Sequence, residues 1–223
     1  MPETQRKIRK PLLICGVIAS LFYVATDTLA SVLFPGYSFF HQAVSELSAI
    51  GAPTRTLIVP LYLVYDLFTI MFGLGIWLHS QKRSLRITAS LLIVNAATGF
   101  VGVPFPLQLG AVEATFTNTM HSILAGVNVI LILLAMGFGA FASGKRFRFY
   151  SFGTILTLVV VGAVMGFVAG AKISAEGWTA PPQWFGLMER ISIYGSMLWV
   201  AVLSIVLFRA EKGQTQSTAT MLE

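Results

Sequence analysis

The sequence predicts an all-α protein, a polytopic transmembrane bundle of six helices with both termini on the cytoplasmic side. Three observations predict it. Of 223 residues, 56% are hydrophobic and only 11% are charged, whereas a soluble domain carries about 25% charged residues. The few charges cluster, leaving six long apolar runs, and about 20 such residues cross the roughly 30 Å hydrocarbon core of a bilayer. The basic residues fall in short groups beside those runs, which is how membrane topology is encoded. The net charge of +6 therefore reads as a topology signal and not as a nucleic-acid face.

The spans are expected at about 11–34, 57–78, 85–105, 121–142, 150–171 and 187–208, within a single integral membrane domain covering 1–223. The first follows a basic start (Arg6, Lys7, Arg9, Lys10). It is long enough to span, so it reads as a retained helix and not a cleaved leader. It holds the lone cysteine, Cys15, which reads as a small packing residue and forms no internal disulfide. Within each span, lipid offers the backbone no hydrogen bonds, so the segment must be helical.

Twelve Lys and Arg residues lie at the N-terminus, the 2–3 and 4–5 connections and the C-terminal flank, against Arg55, Lys172 and Arg190 on the other side. The positive-inside rule places the twelve in the cytoplasm of a cell-membrane protein. The longer connections, 35–56, 106–120 and 172–186, are then outside. They carry Pro and Gly turn signals and, in the last, Trp178 and Trp184 at interfacial depth.

Two carboxylates, Asp27 and Asp66, fall inside apolar helices. A charge at mid-membrane costs at least about 2.5–3.5 kcal/mol on insertion scales, so such residues face the bundle interior, pair, or stay protonated. Each belongs to a polar stripe at helical spacing: Gly16, Ser20, Tyr23, Asp27 and Ser31 in the first helix, and Tyr62, Asp66, Thr69 and Gly73 in the second. Asn95 and Gly99 lie on a similar stripe in the third helix, His121 and Asn128 in the fourth, and Arg190 and Tyr194 in the sixth. For the small members the plainer reading is helix–helix contact. Gly162, Gly166 and Gly170 form a four-residue ladder, which permits close approach within the bundle or to a second copy in a homodimer.

The least ordinary segment is the first outer connection, 39–53. It reads as a short amphipathic helix closed by Gly51 and stopped by Pro53. His41, Ser45 and Ser48 share one side of it. A nucleophile–base pair is one reading of that spacing; mutual capping is the plainer one.

The run Ser45-Glu46-Leu47-Ser48-Ala49-Ile50-Gly51-Ala52-Pro53 resembles the SELxAxGxP signature of domain of unknown function family 998, a family of prokaryotic membrane proteins. His41, His121 and Glu189-Arg190 fit the same picture. The resemblance implies a six-helix bundle with this motif on the outer face; it implies no activity.

Taken together, Asp27, His41, Ser45, Glu46, Asp66, His121, Glu189 and Arg190 are expected to converge on one outward-facing polar pocket, with Arg190 paired to Glu46 or Asp27. Three functions fit. The first is a binding or scaffold protein holding a lipid headgroup or small ligand. The second is a metal-dependent membrane hydrolase with His41, His121 and Asp27 as ligand candidates, although neither HExxH nor HxxxH occurs. The third is a proton-coupled transporter using Asp27 and Asp66. No cofactor motif is present.

Overall fold

The computed structural model describes residues 3–109, 115–176 and 182–220. Among them are six α-helices: α1 (Glu3–Leu33), α2 (Arg55–His79), α3 (Arg83–Gly102), α4 (Phe116–Gly139), α5 (Lys145–Glu176) and α6 (Phe185–Thr220). All six are long and apolar enough to cross a membrane. The expectation of interfacial Trp178 falls outside the described residues.

Helix ends differ from the expected ones for local reasons. Apolarity marks what lies in lipid, not where backbone hydrogen bonding stops. Hence α1 and α6 run on through polar residues to Glu3 and Thr220. Conversely, α3 stops at Gly102, three residues early: Val103 keeps right-handed helical dihedrals, but Pro104 after it has no N–H to continue the hydrogen-bond ladder. α4 starts five residues early, at Phe116, because Thr115 caps it, its hydroxyl accepting Asn118 N–H at 3.2 Å.

The helices pack in chain order into a closed ring, with α6 returning against α1. Ser20 and Ser204 stitch that seam, donating to the Met197 carbonyl at 2.8 Å and to the Leu13 carbonyl. The main apolar core, around Leu13, Phe72, Leu92, Met136, Trp199 and Leu203, sits toward the end that carries the basic connections. There Arg9 of α1 meets Glu211 of α6 at 2.7 Å. α5 is the least enclosed helix, and a side chain at Gly162 or Gly166 would point into open space.

The opposite, loop-rich end is built around the α1–α2 connection. Its helical part is a five-residue 3-10 turn, Val44–Ser48, and not an amphipathic α-helix. Glu46 shapes it, accepting Ala43 N–H at 3.0 Å and the Gln42 side-chain amide at 2.8 Å. Gly51 reverses the chain with φ +92°, a region that favours glycine. Ile50 then pairs with the α3–α4 connection, donating to the Leu107 carbonyl at 2.8 Å and accepting from Leu109 N–H at 3.3 Å.

Candidate functional site

At the loop-rich end the polar residues form two groups, one closed and one hollow. The closed group centres on Arg190, placed by the first turns of α6, and Asp27, placed by the last turns of α1. Both are fully buried, at 1% and 0% exposure. Arg190 Nε donates to Asp27 Oδ2 at 2.9 Å and Nη2 to Oδ1 at 3.0 Å. Its remaining N–H groups reach the Phe39 carbonyl at 2.6 Å, Tyr37 Oη at 2.8 Å and Ser31 Oγ at 3.3 Å. The Tyr194 hydroxyl also donates to Asp27. The Phe39 ring stacks under the guanidinium, with Cζ 3.8 Å from its centroid.

Tyr37 ties this group to the first connection. It accepts from Arg190 while its hydroxyl donates to the Ala43 carbonyl at 2.8 Å. Burial pushes its phenol up to about 12, against the opposing pull of Arg190, so it stays protonated at neutral pH. Glu189 accepts Val44 N–H at 2.6 Å. Gly186 presses on the Gln42 carbonyl so closely that a Cβ would overlap it. His41 Nδ1 accepts Trp184 N–H at 3.1 Å, in the turn where Trp184 takes φ 65°.

Ser45 is half-buried, and its carbonyl accepts from the Ser48 hydroxyl at 3.2 Å. No hydrogen bond joins His41 to Ser45 among the described residues, so the nucleophile–base spacing does not form a pair there. Every strong group here already has a partner. The cluster is chemically a clamp that fixes the first connection to α1 and α6.

The second group surrounds a cavity of about 220 Å³ between α2, α3 and α4. Ser48, Arg55 and Pro106 line its loop-rich end, and Asp66, Gly99 and Asn128 lie deeper. The cavity exists because α3 ends at Gly102 while α2 continues three turns beyond Asp66 to Arg55. The chain after α3 returns across the gap and is pinned to Ile50. Arg55 Nη1 donates to the Ser48 carbonyl. His121 faces the cavity, its Nδ1 3.3 Å from the Phe105 carbonyl. Asn128 Oδ1 accepts from Asn95 at 3.0 Å and from the Thr98 hydroxyl, joining α3 to α4.

An apolar cluster of Ala30, Val44, Leu47 and Ile58 lies between the groups, with Tyr37 and Tyr62 packed against it. Asp27, Glu46, Glu189 and Arg190 thus belong to the clamp, with His41 beside it. Asp66 and His121 belong to the cavity. The single converging pocket expected from the sequence is divided in two. Arg55, Tyr62 and Thr98 join the cavity and Tyr37 joins the clamp, though none was a sequence candidate. For Arg55 the signal was available, since it is a lone cation at the loop-rich end of an apolar helix. Among the described residues, no three His, Cys, Asp or Glu side chains gather as metal ligands would. His41, His121 and Asp27 each engage different partners.

Six membrane-length apolar helices around a buried ion pair define a multi-pass integral membrane protein. A family model described as Protein of unknown function (DUF998) matches residues 17–206, and the chain belongs to that family. No curated protein and no solved structure matches it.

Proposed function

We propose that this protein is a non-enzymatic binding protein of the cell membrane that takes a lipid headgroup or small ligand into the α2–α3–α4 cavity from the outer side. The distribution of basic residues supports this orientation, with the motif end outside and both termini cytoplasmic. The observation that carries the reading is the cavity itself. It is mostly apolar, with a few convergent polar groups (Arg55, Asp66, His121, Asn128), the usual make-up of a ligand site. The clamp supplies rigidity, because it anchors the connection whose Ser48 lines the cavity.

Native mass spectrometry of the purified protein tests this. A retained lipid or small molecule is expected, and it is lost when Ala125, on the cavity wall, is replaced by Trp. A protein that carries nothing, and whose spectrum is unchanged by that substitution, overturns the reading. The same spectrum reports whether two copies pack through Gly162, Gly166 and Gly170, an arrangement favoured by the open faces of Gly162 and Gly166.

A second reading, a proton-coupled carrier, draws support from Asp66 lying in the cavity halfway along its helix. It requires proton flux in liposomes that Asp66→Asn stops.

A further inference from the structure

Five carboxylates are described in the spans and the first connection. Asp27 accepts from Arg190 and Tyr194, Glu46 from Gln42 and Ala43, Glu189 from Val44, and Glu211 from Arg9. Asp66 differs. It is 7% exposed and lines the cavity, and among the described residues no hydrogen bond or ion pair reaches it.

Its position makes that arrangement costly. Asp66 follows Arg55 by three turns, about 16 Å at 1.5 Å per residue, which is near the midplane of a roughly 30 Å hydrocarbon core. A bare carboxylate at that depth costs several kcal/mol. Arg55 is too far along the helix to pair with it and is already held on the Ser48 carbonyl. The fold also makes room for this carboxylate. It lies directly against the Cα of Gly99, where any Cβ would collide with it.

The surroundings offer little to an anion at that level. No cation lines that level, and Asn128, whose Oδ1 accepts from Asn95 and Thr98, can offer only a neutral amide N–H. Leu63 and Leu124 are apolar, and the Tyr62 ring is stacked on Tyr23, its buried hydroxyl without a partner among the described residues. A buried carboxylate that no cation and no hydrogen bond reaches among the described residues, set between largely apolar walls, is complementary to a protonated amine. The ammonium supplies both the charge and the N–H groups.

We propose, building on the ligand-binding reading above, that Asp66 anchors the ammonium of the ligand. The cavity then takes a small organic amine or the amine of a lipid headgroup. Apolar cavities of about 150 Å³ hold benzene, so about 220 Å³ admits a monoamine the size of benzylamine.

The test measures binding of benzylamine, benzyl alcohol and benzoate to the full-length protein in phosphatidylglycerol nanodiscs. Benzylamine is expected to bind at least tenfold more tightly than benzyl alcohol, with Asp66→Asn removing the difference. Addition of phosphatidylethanolamine identifies the source: competition marks an aminolipid headgroup, and its absence marks a free amine. Equal affinity for amine and alcohol, tighter binding of benzoate, or a folded Asp66→Asn protein that keeps the amine preference each overturns the proposal. The wild-type comparison decides the matter even if the variant does not fold. Alcohol or benzoate bound without amine preference leaves the broader ligand-binding reading standing. No probe bound and nothing co-purified removes both.

Discussion

Arg190 and Asp27 meet through two nearly parallel hydrogen bonds of 2.9 and 3.0 Å, in a site where neither side chain touches solvent or lipid. All of the guanidinium's N–H groups find acceptors, so the pair is well satisfied for its depth. Removing one partner leaves a buried charge, which costs about 3–5 kcal/mol. Asp27→Asn is therefore expected to lower stability by that amount in mixed-micelle denaturation. Arg190→Lys should do little better, because an ammonium cannot supply the planar fork. The double variant Asp27→Leu/Arg190→Met is expected to recover most of the loss. A double variant no more stable than Asp27→Asn would show that the pair contributes more than charge balance.

Gly186 and Gly126 make a matched pair. A Cβ on Gly186 runs into the Gln42 backbone carbonyl, whereas one on Gly126 meets nothing. Gly186→Ala is expected to cost about 1–3 kcal/mol, the usual penalty for overpacking, and to loosen the α6 start from the first connection. Gly126→Ala should be neutral or slightly stabilising in a helix. Apparent melting temperatures of the two proteins, measured side by side, check this.

Gly99→Ala places a methyl where the Asp66 carboxylate lies. The helices should assemble unchanged while any cavity ligand is lost or weakened at least tenfold. Binding of the benzylamine probe, compared with melting temperature, separates the two effects. An unaltered affinity would mean that the ligand does not contact Asp66.

Orientation is open to a labelling test in a Cys15→Ala background. Pro53 and Lys82 are both exposed and lie at opposite ends of the bundle. An impermeant maleimide applied to intact cells is expected to label Pro53→Cys and spare Lys82→Cys until the cells are opened. The reverse pattern would turn the cavity toward the cytoplasm.

Much of this architecture is visible in the residues themselves. Apolar run length locates the six helices, because a bilayer imposes one length on all of them. The pairing of Asp27 with an Arg190 found 163 positions later is likewise readable, since both are ionisable and both lie near the same end. What sequence cannot supply is direction around the ring. Asp27 and Asp66 both sit on polar stripes that meet through Tyr23 and Tyr62, but Asp27 turns to α6 and Asp66 to α3, so one expected pocket became two sites. Spacing also misjudged the first connection. The periodicity of His41, Ser45 and Ser48 fits a helix, but Glu46 folds back on Ala43 and tightens the segment into a 3-10 turn. The cavity was hidden for a third reason. It depends on α3 ending early, and the decisive residue, Pro104, is conspicuous only once the neighbouring helix is known to run longer.

The Arg9–Glu211 contact carries a consequence for how two of the helices can lie against each other. α1 and α6 each carry a cation near the start and an anion further on, and because they run antiparallel each charge meets its opposite. α1 and α6 therefore match electrically in one relative orientation, since turning either helix end for end would set like charges side by side.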